Sequence, residues 1–231
     1  MPRHSSRSTE LNDALLMPDL TQLALYLAAA ILLAITPGPG IFYVAARTLA
    51  GGRAEGISSS FGNGLGGMVH VFAGALGVSA LVLASAQLFT VLKLVGAAYL
   101  VWLGLRTFQA ARRDAANALS GGVVEPSIGP RIAFREGVIV EALNPKTAAF
   151  FLAFIPQFIE TTGSVALQFV VLGFISVVLN TSADVVVAFC ASRIRQGAAA
   201  RPDFIKRLRE ISGGAMVALG VGLAFAKRPG A

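Results

Sequence analysis

The sequence predicts an all-α membrane protein whose six transmembrane helices form two inverted three-helix repeats, with helices 1 and 4 broken. Of the 231 residues, 55% are hydrophobic and only 13% are charged, against roughly 25% charged in soluble domains. Several apolar runs approach the ~20 residues that span a bilayer. Two of them are interrupted, at Thr36-Pro37-Gly38-Pro39 and at Asn144-Pro145-Lys146. Paired interruptions of this kind indicate the substrate site of a transporter.

The first half of the chain begins with a polar tail at residues 1–19, and the first three-helix repeat follows at residues 20–110. Its spans are predicted at about 21–46, 57–86 and 88–108. A cleaved signal peptide is an alternative interpretation of the first apolar stretch, but that stretch continues beyond the Pro-Gly interruption. Small residues crowd the start of the second span, where they allow close helix packing.

The second half consists of a cytoplasmic linker at residues 111–132 and a second repeat at residues 133–231. Its spans are predicted at about 133–158, 165–191 and 211–226. Lys and Arg are concentrated in the loops after spans 1, 3 and 5, so the positive-inside rule places these loops in the cytoplasm and both termini outside. Span 1 then runs inward and span 4 outward, as in an inverted repeat.

Charge and rare residues argue against several function classes. The net charge of +7 lies in the polar segments between spans, which predicts contact with anionic lipid and not with nucleic acid. The single cysteine, Cys190, forms no internal disulfide or Cys₂ site. No cluster has metal-ligand spacing, and the G-x-G-x-x-G match at residues 62–67 lacks the strand of a dinucleotide site. We therefore expect a protein that is not an enzyme and has no cofactor or fixed metal.

The first break offers backbone groups that suit a zwitterion. Pro37 and Pro39 interrupt the helix, so carbonyls before the break and N–H groups after it lose their helical partners. A helix N-terminus favours a carboxylate, and freed carbonyls suit an ammonium. Thr36, Pro37, Gly38 and Pro39 are therefore candidate substrate-binding residues. A kink used only for packing is the alternative.

The second break adds a cation within the membrane. Asn144 and Pro145 interrupt span 4, and Lys146 lies near mid-depth, where a cation costs ~2.5–3.5 kcal/mol. We expect Lys146 to bind a substrate carboxylate or to pair with Asp184 or Glu141. A purely structural ion pair is the alternative.

Polar residues in other spans complete the candidate site. Asp184, in span 5, is expected to bind the substrate ammonium or to take and release a proton; a fixed partner of Lys146 or Lys93 is the alternative. Lys93 lies near a span end, from which its side chain reaches the outer interface. Asn63 and His70 lie seven residues apart on one face of span 2. Either could serve translocation, as a donor to substrate or a proton relay, or could only bridge helices.

Four stretches together resemble the LysE/RhtB-type amino-acid exporters, the family of lysine exporters and homoserine–threonine resistance translocators. They are Thr36-Pro37-Gly38-Pro39; Lys93-x-x-Gly96-Ala97-Ala98-Tyr99-Leu100-x-Trp102-Leu103-Gly104; Asn144-Pro145-Lys146 with Phe150-Phe151 and Pro156-Gln157-Phe158; and the Gly-rich run from Gly213 to Gly222. The four stretches follow the family's order and cover nearly the whole chain after the tail.

The resemblance implies a secondary exporter in the bacterial inner (cytoplasmic) membrane, which moves amino acids or close analogues outward and is coupled to protons or another ion. The family usually has a polar amide or similar small residue three positions before Asn144, where this chain has Glu141. Glu141 is therefore a proton-relay candidate beside Asp184 and His70. Metal-cation efflux, membrane redox transfer and a passive scaffold are the alternative functions. Gly-rich helix faces allow a homodimer but do not require one.

Overall fold

The computed structural model describes three continuous stretches, residues 20–84, 126–160 and 163–197. It also describes helical positions in the third and sixth predicted spans, at 87, 90–91, 94–99, 101–102, 105–106, 210, 214, 217–218, 221 and 224–225. All regular structure in these residues is helical. The predicted tail, most of the linker at 111–132, Lys93 and most of the Gly-rich run lie outside the described residues.

The first half contains three described helices, which we number in chain order: α1 (Leu20–Ile35), α2 (Pro39–Gly51) and α3 (Arg53–Ala84). Thr36 closes α1, because its hydroxyl donates to a carbonyl one turn earlier at 2.6 Å. Pro39 is the first residue of α2, where its missing N–H costs no helical hydrogen bond. Helices α1 and α2 meet at a 43° bend, which confirms the first predicted break.

The second half also contains a bent pair. Helix α4 (Pro130–Ala142) is followed by α5 (Pro145–Ala149), which continues as a π-helix (Phe150–Phe154) and a 3₁₀ turn (Ile155–Phe158). The bend between α4 and the segment after it is 41°, so the second predicted break is confirmed. A long helix, α6 (Val165–Gly197), follows in this half.

Local chemistry explains the second break and the irregular helix after it. The Asn144 side-chain oxygen accepts the backbone N–H of Lys146 at 3.0 Å and so caps α5. Pro145 occupies the first helical position, where proline is favoured. Pro156 lacks the N–H that a regular helix would use there, and its ring crowds the preceding turn, which explains the widened π-helical turn before it.

Length and hydropathy identify α6, over Val165–Arg193, as a described helix able to cross a membrane by itself. Counting each bent pair as one span gives up to three spans among the described residues. The observed bounds differ slightly from the predicted ones: α4 begins at Pro130, not at 133, and α6 extends to Gly197, not to 191.

Helix α3 packs directly against α4 and α6. Gly62 of α3 lies against the backbone carbonyl of Phe134, and a Cβ at Gly137 of α4 would stand 2.7 Å from the carbonyl oxygen of Ser59. Neither glycine leaves room for a side chain, so the two helix backbones touch. The small residues of span 2 therefore have the packing role that the sequence predicts.

Tyr26 connects α1 to the second half. Its buried hydroxyl donates to the Leu172 carbonyl and bonds the Ser176 hydroxyl at 2.6 Å, both on α6. Its ring lies 5.4 Å from that of Phe158 and 6.4 Å from that of Phe150. The start of the chain's first broken helix is thus fixed against both α6 and the segment that follows the second break.

A buried carboxylate fixes the beginning of α4. Glu55 of α3 is 1% exposed, and its Oε1 accepts from the Ser127 hydroxyl and, at 2.7 Å, from the Gly129 N–H.

We expect Glu55→Ala to lower the free energy of unfolding by about 1–3 kcal/mol, because two donors lose their acceptor. Thermal unfolding in detergent checks this. The control is Glu160→Ala, since Glu160 contacts Gln168 through its backbone only; equal midpoints for the two variants would contradict the assignment.

Candidate functional site

The lysine of the second break reaches the first break. Lys146 is 3% exposed, and its ammonium donates to the carbonyl oxygens of Leu33 at 3.2 Å and Thr36 at 2.9 Å. Both carbonyls lie at the C-terminal end of α1. Pro37 lacks the N–H that the Leu33 carbonyl would accept in a continuous helix, and this carbonyl accepts the N–H of Thr36 at 3.1 Å instead. The two breaks therefore meet in space, and a cation from one satisfies backbone groups exposed by the other.

The expected direct pair between Lys146 and a carboxylate is not formed. Neither Asp184 nor Glu141 is a hydrogen-bond partner of its ammonium, although both attract it electrostatically. The C-terminal end of a helix carries partial negative charge, so α1 provides the nearer counterpart. Gly38 makes room for this contact, because a Cβ there would stand 3.2–3.3 Å from the last three atoms of the lysine.

Glu141 is held at the N-terminus of α5. Its Oε1 accepts from the Thr147 hydroxyl at 2.6 Å, and its Oε2 accepts from the Asn144 amide at 2.8 Å. Both partners donate, so both carboxylate oxygens act as acceptors. The helix N-terminus beside them adds favourable positive potential. The Glu141 carboxyl group is thus held in place at the second break.

Asp184 lies on α6 opposite Asn63 of α3. It is 5% exposed, and its Oδ2 accepts from the Asn63 amide at 2.8 Å. Its other oxygen has no hydrogen-bond partner among the described residues, and neither has the buried Oδ1 of Asn63. This pair therefore retains two acceptor atoms that can serve a further group.

His70 does not reach either carboxylate side chain. Its Nε2 lies 2.9 Å from the backbone carbonyl oxygen of Glu141. Since a carbonyl can only accept, this hydrogen bond requires a proton on Nε2. The histidine thereby donates a further hydrogen bond to a carbonyl near the C-terminal end of α4 and connects α3 to α4. Its role as a proton relay stays a prediction.

These polar groups surround a small space, which we call the break cavity. Its volume is about 20 Å³, room for about one water molecule, so even the smallest amino acid does not fit in this closed arrangement. The cavity is lined by the following residues: Gly40, Ile41, Asn63, Gly64, Gly67, Glu141, Asn144, Lys146, Thr147, Phe151, Val177, Asn180, Thr181 and Asp184. Among the predicted site residues, Thr36, Pro37, Gly38, Pro39, Pro145 and His70 lie outside this lining.

Two lining residues have roles that the sequence interpretation did not assign. Gly40 follows the first break, and a Cβ there would stand 2.6 Å from Oε2 of Glu141 and 2.9 Å from the Asn63 amide nitrogen. Thr147 directly follows the Asn-Pro-Lys stretch and orients Glu141. Their positions beside the two breaks could have identified both residues from the sequence. Within the described part of the chain, no group of three or more His, Cys, Asp or Glu side chains could hold a metal ion.

Comparisons with known proteins identify relatives over most of the chain. The family model of the LysE type translocators matches residues 31–227. An uncharacterized membrane protein of Vibrio cholerae is 32% identical, over 87% of this chain and 96% of its own length. The homoserine/homoserine lactone efflux protein of Salmonella typhimurium is 28% identical, over 87% and 95% respectively. The leucine efflux protein of Klebsiella pneumoniae is 31% identical, over 58% and 62% respectively. No solved structure matches the chain.

The matched region includes both breaks, every residue that lines the break cavity and the whole of α6. The resemblance drawn from the four sequence stretches is thereby confirmed. The chain belongs to the LysE type translocator family.

Proposed function

We propose that the protein is a secondary exporter, which carries amino acids or close analogues out of the cytoplasm in exchange for protons and binds them at the break cavity. The observation that carries this proposal is the contact of Lys146 with the carbonyls of Leu33 and Thr36. It brings the two interrupted spans together in the interior of the protein, and discontinuous spans form the substrate sites of many secondary transporters.

The charges at the cavity suit both ends of an α-amino acid. Lys146 offers an ammonium for the substrate carboxylate. Gly40 and Ile41 belong to the first turn of α2, whose N–H groups lack helical partners and favour the same carboxylate. Asp184 offers its unpartnered oxygen to the substrate ammonium, with Glu141 as a second negative charge nearby. The named activities of the Salmonella and Klebsiella relatives, homoserine and leucine efflux, support this substrate class.

Asp184 also provides a means of exchanging substrate for protons. A carboxylate that binds either a substrate ammonium or a proton cannot hold both, so the two ligands compete, as exchange requires. Glu141 is held beside the cavity, since both of its oxygens accept hydrogen bonds, and its role as a proton relay stays a prediction. His70 contributes through the backbone of α4, and its role as a proton relay stays a prediction.

Transport requires the break cavity to open, because about 20 Å³ does not hold an amino acid. We infer alternating access, in which residues 20–110 and 133–231 act as inverted repeats that rock around the site, joined by the linker at 111–132. The protein then lies in the bacterial inner membrane with both termini outside. One chain supplies all the described cavity residues, so a homodimer is compatible with the mechanism but not required. No observation favours the metal-efflux, redox or scaffold alternative.

Efflux measurements test this function. Cells loaded with labelled leucine, homoserine, threonine or lysine should lose at least one of them faster when the protein is expressed, and a protonophore should reduce the difference. Cells without the protein are the control. Equal efflux of every amino acid with and without the protein would contradict the proposal, and efflux that persists without a proton gradient would contradict the coupling.

A further inference from the structure

The Lys146 ammonium occupies a position that also suits the ammonium of a substrate. Two backbone carbonyls, those of Leu33 and Thr36, converge on it at the negative end of α1. Discontinuous helices of transporters use such C-terminal carbonyls to coordinate cations. Here the cation belongs to the chain itself and is attached through a long, unbranched side chain.

The surroundings of Lys146 leave its ammonium able to move. It makes two of the three hydrogen bonds that an ammonium can donate, and it lines the break cavity. Glu141 and Asp184 attract it from the cavity side without bonding it. Gly38 lies against the end of the Lys146 side chain and has no side chain of its own, so nothing at this position blocks movement of the ammonium away from the carbonyls.

We propose that Lys146 is an exchangeable internal ligand, which occupies the cation position of the site in the closed arrangement and transfers to the substrate carboxylate on binding. This inference rests on the proposed function, and it adds that the substrate must carry both an ammonium and a carboxylate. The substrate ammonium then takes a place beside Asp184 and the vacated carbonyls. The exchange leaves the net charge of the site unchanged, because a zwitterion brings one charge of each sign.

The exchange specifies the chemical class of substrate as a free α-amino acid. An amine without a carboxylate would displace Lys146 but leave its ammonium unpaired inside the membrane, which is costly. An N-acylated amino acid has no ammonium to replace the lysine on the carbonyls. Both analogues should therefore bind poorly, for different reasons.

Binding to the purified full-length protein tests this, with matched pairs of probes: leucine with 3-methylbutylamine, and homoserine with 3-aminopropan-1-ol. The wild type should bind at least one of the two amino acids, and should bind the matched amine much more weakly. Lys146→Met removes the ammonium and keeps a stem of similar shape, so that amino acid should bind about tenfold more weakly. The matched amine should bind about tenfold more tightly than to the wild type, since its cation position is no longer occupied.

Gly38→Ala provides a second test that keeps the lysine. Its added Cβ would stand 3.2–3.3 Å from the end of Lys146, so the side chain must shift by a few tenths of an ångström. This shift should weaken the hold of the ammonium on the carbonyls and strengthen amine binding. Gly77→Ala is the matched control, because a Cβ at Gly77 meets nothing within 4 Å, and it should behave as the wild type. If Lys146→Met does not fold, Gly38→Ala decides.

The outcomes separate the two proposals. Unchanged amine binding in folded Lys146→Met would overturn the exchange, as would unchanged amine binding in Gly38→Ala if only that variant folds. Export by the wild type would still support the proposed function. Absence of binding and efflux for every amino acid tested would instead overturn the proposed function itself.

Discussion

Asp184→Asn is expected to abolish efflux driven by a proton gradient while exchange of labelled for unlabelled substrate continues at raised substrate concentration. An amide cannot take up a proton, but it has nearly the shape of the carboxylate and retains an oxygen to accept from Asn63, as Oδ2 of Asp184 does at 2.8 Å. Losing a positioned proton acceptor typically costs 10²–10⁴-fold, so we expect gradient-driven transport to fall by about 100-fold or more. Proteoliposomes with an imposed pH gradient measure the first activity, and counterflow measures the second.

Glu160→Gln is the control for this substitution. It makes the same chemical change at a residue outside the break cavity, and it should leave both activities at the wild-type rate. Gradient-driven efflux that survives Asp184→Asn unchanged would show that Asp184 does not carry the proton. Loss of both activities with a normal unfolding midpoint would restrict Asp184 to substrate binding.

Gly40→Ala is expected to lower export by at least about tenfold, although alanine is the better helix former by ~1 kcal/mol. The added Cβ would stand 2.6 Å from Oε2 of Glu141 and 2.9 Å from the amide nitrogen of Asn63. Both groups are held by further hydrogen bonds, to Asn144 and Asp184. The methyl group must therefore displace one polar pair of the cavity, and overpacking of this kind typically costs about 1–3 kcal/mol.

Initial efflux rates and unfolding midpoints check the Gly40 prediction together. Gly77→Ala adds the same methyl group to open space on α3 and should export normally. A Gly40→Ala protein that exports at the wild-type rate would show that the pocket beside Glu141 and Asn63 is not on the transport path.

The positions of the breaks could be predicted from sequence because their cause is local. Proline removes a backbone N–H wherever it stands, so Pro37, Pro39 and Pro145 mark the interruptions without any tertiary information. The spacing of Glu141, Asn144 and Thr147 is also local, and their mutual hydrogen bonds could have been inferred from it. The inverted-repeat topology and both outside termini stay predictions from charge and span count.

The partners across the cavity could not be predicted, because they depend on contacts between distant parts of the chain. Lys146 bonds carbonyls 110 and 113 residues earlier, and Asp184 accepts from an amide 121 residues earlier. The sequence interpretation considered side-chain partners for Lys146 and expected Asp184 or Glu141. The freed carbonyls before the first break could be predicted from its prolines, but their contact with Lys146 became visible only in the structure.

Cysteine cross-linking tests most directly the claim that the two breaks meet. In a Cys190→Ser background, the pair Gly38→Cys and Lys146→Cys should be joined by a short thiol cross-linker. Cleavage at a protease site placed in the linker at 111–132 should then leave the two halves of the chain joined through the cross-link. The control pair, Gly77→Cys with Lys146→Cys, should separate after cleavage. Separation of the Gly38–Lys146 pair as readily as the control would contradict the account, because the two interrupted helices would then not share one site.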